Sequence, residues 1–416
     1  MTSSDTRAGD IKLATLEFWE QSDSERDAAF ATLRRENPIS FQEETIFAEG
    51  FAPGPGFWAL TRYQDVWTAS RKPEIFQSGR GVNIGDMPIE IAEFFGSMIA
   101  MDAPRHSKLR GIVQRGFTPK SVNQVESYVH TKAKEIVDRV APKGECDFVT
   151  EIAAALPLEI ICDMMGIPEA DRARVFELTN IILGVGDPEY GVTIEKLMEA
   201  GRELYQYAFD LGEDRLATPA DDITSQLMHA EVDGDRITAQ ELGSFFVLLV
   251  VAGNETTRNA ISHGMKALTD FPDQRRIWAG DFDGVAPTAV EEIVRWATPV
   301  IHFRRTATQD TELSGQPIAE GDKVVLWYNS ANRDEDRFED PSRFDVRRQP
   351  NEQVGFGAGG PHFCLGANLA RREITVMFDE LFRRLPDIEI TGPPDMLRSA
   401  FIHGIKRMPC AFTPVG

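Results

Sequence analysis

The sequence predicts one large, mainly α-helical domain with minor β structure gathered in its second half. Three features carry that reading. From about Pro119 to Pro219 the chain keeps helical periodicity, with breaks at "GIPEAD" and "GVGDPEYG". From Thr238 to Phe271 runs a helical segment without proline. After it, the short strand patterns "FRRTAT", "TELSGQPI" and "DKVVLWY" alternate with turns. No repeat, low-complexity tract or linker divides the chain. Residues 13–416 therefore read as a single domain behind a polar N-terminal tail, residues 1–12, although 416 residues exceed the usual size of one core.

In chain order, "GFWALTRYQDVWTASRKP" reads as a short strand, a turn and a helix. The helices of the middle third follow. At ~1.5 Å per residue the segment from Thr238 spans roughly 45 Å, the width of a domain, so its centre should be buried. That centre reads "VVAGNETTRN". Gly253 weakens a helix there by roughly 1 kcal/mol relative to alanine, and the Thr256 hydroxyl can bond back to the Ala252 carbonyl and bend it. An amphipathic helix with its polar residues facing water is the competing reading. Next comes "PTAVEEIVRWATP", where Thr288 and Glu291 form a capping-box pattern and Pro299 closes the helix.

Composition removes several classes of function. With 42% hydrophobic and 26% charged residues the chain is an ordinary globular sequence, not a disordered or membrane-embedded one. A net charge of -22 argues against a nucleic-acid partner, since neutralising phosphates needs a basic surface. "MTSSDTRAGDIK" lacks the apolar core of a signal peptide, and the longest apolar run, "FFVLLVVAG", is too short for a membrane span, so a cytoplasmic location is expected. Cys146, Cys162, Cys364 and Cys410 are scattered, with neither a disulfide framework nor a zinc-site spacing.

One cysteine stands apart. Cys364 ends the glycine-rich stretch "FGAGGPHFCLGANLARR". A free cysteine is most often a small buried hydrophobe. Such a filler does not need glycines at 357, 359, 360 and 366, which allow positive φ and close approach to a flat ligand, nor a helix opening directly behind the sulfur. Helix N-terminal amides favour a thiolate and lower the cysteine pKa. A thiolate so placed is a nucleophile or a metal ligand. The nucleophile needs a base and an orienting partner, whereas a haem iron needs one axial protein ligand, which suits a solitary cysteine better.

These residues resemble the haem-binding signature of the cytochromes P-450, usually Phe-x-x-Gly-x-x-x-Cys-x-Gly, and three further family motifs follow in order. "AGNETT" resembles the oxygen-binding helix, "EIVR" the Glu-x-x-Arg of the next helix, and "HSKLR" the His-x-x-x-Arg that meets a haem propionate. Phe356 lies eight residues before Cys364, where the common bacterial pattern has seven. The resemblance implies the cytochrome P-450 fold, haem b (iron protoporphyrin IX) and O2 as co-substrate. It makes Cys364 the axial thiolate and metal ligand, donating electron density so that the O–O bond breaks. His106, Arg110, Arg305 and His362 would hold the propionates, and Phe356, Ala252, Gly253 and Gly366 would border the haem. Glu292 and Arg295 would form a buried ion pair completed by the loop "ANRDEDRFEDPSRFD". Glu255 and Thr256 would deliver protons to oxygen, a pair that favours a monooxygenase supplied with electrons.

Counting back from Thr256 by helical steps gives Ala252, Leu248 or Val251, and Phe245, an apolar face expected above the iron. By family position Val300 and Phe401 join the substrate residues. An apolar lining implies a lipophilic substrate, and the wording around the motifs resembles bacterial hydroxylases of steroid side chains and methyl-branched lipids. Residues 79–101 and 184–191 would be access elements. Arg105, Lys108, Arg110, Arg115 and Lys120 gather on an otherwise acidic chain, and with Arg110 turned to the haem the remaining bases would offer a docking surface for an acidic ferredoxin, where a solvated helix face is the competing reading. With no flavin or nicotinamide motif present, electrons would come from ferredoxin and ferredoxin reductase. Competing readings are a haem-binding sensor or carrier without turnover, a hydroxylase of another small hydrophobic metabolite, and a thiol hydrolase using Cys364.

Overall fold

The structure, a computed structural model, describes residues 7–44, 53–117, 119–231 and 236–415. Along the first part of the chain run α1 (Asp23–Glu36), β1 (Ile39–Gln42), β2 (Phe57–Leu60), α2 (Tyr63–Arg71), β3 (Phe76–Gln77), α3 (Ile89–Gly96) and α4 (Arg105–Val113). The helical middle holds α5 (Pro119–Val140), β4 (Glu145–Asp147), α6 (Ala155–Met165), α7 (Glu169–Leu183), α8 (Ile194–Ala217) and α9 (Ile223–His229). Then come α10 (Ala239–Asp270), α11 (Pro272–Gly280) and α12 (Phe282–Ala297). Strands β5 (His302–Ala307), β6 (Thr311–Leu313), β7 (Gln316–Ile318) and β8 (Lys323–Trp327) precede α13 (Ala367–Arg384). The chain closes with β9 (Glu389–Ile390), β10 (Asp395–Met396), β11 (Ile405–Arg407) and β12 (Pro409–Ala411).

The large helical domain expected from periodicity is present, and α10 is its axis. Thr238 and Glu241 cap its start reciprocally, and Phe271 ends it. Helices α6, α8, α12 and α13 pack against it, so most of its side chains are buried, including the polar Asn254, Asn259 and Ser262.

The β structure is less confined than the sequence suggests. One sheet has the order β1-β2-β8-β5-β3, with β2 parallel to β8 and the other neighbours antiparallel. Three of its strands thus come from the first 77 residues. β1 and β3 are four and two residues long, too short to display an alternation of their own. The polar tail is also shorter than a dozen residues. Ala8–Asp10 already forms a helical turn, and Ile11 packs in a cluster with Leu13, Phe30 and Trp327.

Helix α12 starts earlier than its capping-box pattern suggests. Asp281 accepts from the Gly284 amide and caps the helix, and Pro287 lies inside it. Thr288 is therefore mid-helix, its hydroxyl donating to the Val285 and Val346 carbonyls. Glu291 instead pairs with Arg371 of α13, which leaves Glu292 for Arg295. That pair is fully buried, with both nitrogen to oxygen distances 2.8 Å. Arg295 also donates to the carbonyls of Asn332, Pro341 and Arg343, so the ion pair fixes the loop leading to Cys364. Stranding one buried charge by removing its partner costs roughly 3–5 kcal/mol.

Candidate functional site

Cys364 sits two residues before the Gly366 cap of α13, and its amide donates to the Phe356 carbonyl at 2.9 Å. Gly357, Gly359 and Gly360 all have positive φ. At Gly360 a Cβ would lie 2.4 Å from the Ser70 carbonyl oxygen of α2, so only glycine fits there. Gly366 differs from the expectation: its φ is -86°, and its contribution is an amide that bonds the Cys364 sulfur, beside open space where a Cβ would meet nothing.

The expected fall in the Cys364 pKa is not met. Burial outweighs the Gly366 amide, Arg110 and Arg371, and the net shift is upward. By surface area the same residue is exposed. The sulfur is thus closely surrounded by protein while part of its own surface stays open. A coordinated cation, which deprotonates a thiol outright, is what would make this sulfur a thiolate.

Around it lies a concentration of bases unusual for an acidic protein. The rings of His106 and His362 stand 4.3 Å apart. His106 Nε2 and His362 Nδ1 are buried without partners, while His362 Nε2 contacts the Ser78 hydroxyl at 3.1 Å. Arg110 donates to the Phe363 carbonyl at 2.7 Å. Arg305 is buried and donates to the Arg304 carbonyl, whereas Arg304 is committed to Asp86 at 2.6 Å. Burial followed by repulsion from Arg305, His106 and Arg110 pushes His362 down to about 2. His106 is lowered too, by burial and then Arg110. Asp102 is the nearby acid, and its carboxylate already accepts from the Ser78 and Gly79 amides. Four donors crowded at a cost, two with an orphaned nitrogen, fit a doubly anionic group between them.

A cavity of about 290 Å³ opens beside α10, near the low end of the roughly 300–1,000 Å³ usual for ligand pockets. Leu248, Val251, Ala252, Glu255 and Thr256 line it from the helix, and Val300, Phe303 and Phe401 line it from the β5 side. Residues 81–85, with Ile182, Leu183 and Val185 and with Phe95 of α3, form further walls. Phe245 does not reach it and is 1% exposed in the core. Gly253 turns toward Ile161 of α6, where a Cβ would make ordinary contact at 3.4 Å. The Thr256 hydroxyl donates to the Ala252 carbonyl at 2.7 Å. Glu255 is buried, ion-paired through Oε2 with Arg258, and its Oε1 has no partner. Burial pushes its pKa up despite Arg258.

This chain is 56% identical to a methyl-branched lipid omega-hydroxylase of Mycobacterium tuberculosis, over 97% of this chain and 95% of that one. The chain belongs to the cytochrome P450 family. A steroid C26-monooxygenase of Rhodococcus jostii is 43% identical over 91% of this chain and 80% of that one. The family model for cytochrome P450 matches residues 285–401. A Mycobacterium marinum cytochrome P450 in complex with pseudoionone superposes with a TM-score of 0.93 at 47% identity, covering 98% of this chain and all of that one. As a P450 monooxygenase the protein uses haem iron and O2, acts on lipophilic substrates and needs redox partners.

Phe356 of this P450 packs under the Arg371 guanidinium, 4.5 Å from its ring centroid, and lies 6.5 Å from Phe363, so the longer glycine run still keeps that ring beside the cysteine loop. Sequence reasoning missed Ser78, Asp102 and Phe303, which carry no motif and reach the site only through the fold. Of the basic cluster, Arg105 is bridged to Glu93 at 2.8 Å and Arg110 turns inward. The side chains of Arg115 and Lys120 lie outside the described residues. Among the described residues no helix is long and apolar enough to cross a membrane.

Proposed function

We propose that this P450 hydroxylates the terminal carbon of a methyl-branched lipid chain, with a steroid side chain as the next candidate, using electrons from a ferredoxin and its reductase. The observation that carries the reading is the cavity, apolar along Leu248, Val251, Val300, Phe303 and Phe401, with Thr256 and Glu255 in its α10 wall. Such a lining holds an alkyl chain by its apolar surface, with polar groups confined to a few positions such as Glu44, Asn83, His302 and Ser399 and to the helix. Identity to the omega-hydroxylase exceeds that to the steroid enzyme, which orders the two substrates.

Cys364 would be the axial ligand of haem b, with His106, Arg110, Arg305 and His362 donating to its propionates, and Phe356, Ala252, Gly253 and Gly366 along its faces. The bound haem activates O2 for insertion into a C–H bond. Burial pushes the Glu255 pKa up, Arg258 fixes Oε2, and Oε1 is left without a partner, available to take up or give a proton. The Thr256 hydroxyl, tied to the Ala252 carbonyl, stands next along the wall and passes protons toward the cavity. The apolar residues exclude bulk water from that path. The bases Arg105, Lys108, Arg115 and Lys120 would meet an acidic ferredoxin.

The test is an optical titration of the ferric protein with a methyl-branched fatty chain, its linear isomer and a steroid with an intact side chain. A saturable low-spin to high-spin shift of the Soret band, tightest for the branched chain, is expected. A shift with the steroid alone would reassign the substrate, and a spectrum lacking thiolate character would remove Cys364 from the iron.

A further inference from the structure

Cys146 and Cys410 lie 264 positions apart in sequence yet their sulfurs are 3.4 Å apart. They are directly opposed Cα partners on the antiparallel strands β4 and β12. The Phe148 amide donates to the Met408 carbonyl at 2.8 Å on one side and the Phe412 amide to the Gly144 carbonyl at 2.9 Å on the other. Two residues from each, Cys146 and Cys410 hold a hydrogen-bonded position of the ladder, where Cα atoms stand roughly 5.5 Å apart, within the range a disulfide spans. The other two cysteines have no such neighbour: Cys162 is buried with its thiol pushed up to about 12 by burial, and Cys364 belongs to the haem site. Neither Cys146 nor Cys410 lines the cavity.

We propose that Cys146 and Cys410 are a redox-active dithiol that closes to a disulfide by exchange with a low-molecular-weight disulfide. Cys146 is the half-buried member and the one a small molecule reaches, while Cys410 is 1% exposed. The Cys146 thiolate attacks one sulfur of the small disulfide, breaking its S–S bond and expelling one small thiolate. Cys410 then loses its proton to solvent, its sulfur attacks Cys146 in the mixed disulfide, and the second small thiolate leaves. Two protein thiols are oxidised, one small disulfide is reduced to two thiols, and no other reactant is needed. Contact with Cys146 and burial push the Cys410 pKa up, so Cys410 is the resolving and not the attacking sulfur.

The bond would join the last strand of the chain to β4, which runs directly into Val149–Ala153, a segment packed on α10. It would thus fasten the C-terminal strand to the support of the catalytic helix. A loop this long raises stability mainly by restricting the unfolded chain, which for a protein of this size corresponds to a rise in Tm on the order of 5 °C.

The holoenzyme is equilibrated in a buffer of glutathione and glutathione disulfide, remaining thiols are alkylated under denaturing conditions, and the peptides are read by mass spectrometry. The expected result is one peptide pair joined through Cys146 and Cys410, reversed by dithiothreitol and absent from Cys146→Ser. The Soret band stays unchanged while Tm rises in wild type and not in that variant. Full alkylation of both cysteines, or Cys146 carrying only glutathione, would overturn the proposal.

Discussion

Under the proposed function, Cys364, His362 and Thr256 would divide the work between single side chains. The surroundings of the sulfur disfavour a thiolate, because burial outweighs the Gly366 amide and two arginines. Burial and then the neighbouring arginines keep His106 and His362 from taking up protons, so the cluster holds donors that an anion would satisfy. Replacing Arg305 by leucine should therefore weaken haem retention on the order of 10-fold or more, the value of one or two charge-assisted hydrogen bonds, read from the ratio of haem to protein absorbance. Unchanged haem content would place the propionates elsewhere. Thr256→Ala should bind haem and substrate normally while hydroxylation falls on the order of 10²-fold, measured as product formed per electron consumed. Equal product per electron in the two proteins would remove Thr256 from proton delivery. At this scale the sequence singled out residues wherever they stood in a motif. It was silent for Ser78 and for Cys146 with Cys410, whose partners are far away in the chain, and it misjudged Gly366 because a glycine's φ is set by its loop.

Among the elements, α10 and α13 carry the two sides of the site, and both could be read from their boundaries: Thr238 with Glu241 opens one, and the glycine run before Ala367 opens the other. α12 was harder. Thr288 and Glu291 match a capping box, yet Asp281 outcompetes them and the helix runs through Pro287. The Glu292–Arg295 pair survives this because Arg371, not a cap, occupies Glu291. Helix α13 also holds Glu373, buried with Oε2 unpaired and its pKa pushed by burial to about 8. Its ordinary value is 4.5, so between these values the native state binds the extra proton. Its favourable contribution is present below pH 4.5 and lost as pH rises through 8. Glu373→Gln should leave the urea midpoint at pH 5 nearly unchanged and raise it at pH 9. An identical shift at both pH values would mean that the carboxyl never titrates as placed.

Over the whole molecule, the mainly helical class and single domain were legible because α10 alone is long enough to organise a core. The mixed sheet was only half legible, since strands as short as β3 pair through tertiary contact and not through their own pattern. The cavity follows from both: α10 supplies one wall and β5 with Phe401 supplies another. The central claim is that this space directs one oxygen atom of O2 onto the end of a branched lipid chain. Turnover of a methyl-branched fatty chain under isotopically labelled O2, with a ferredoxin and its reductase, tests it in one mass spectrum. The account predicts one labelled oxygen on a terminal carbon. Label within the chain, or a product oxygen drawn from water, would contradict it.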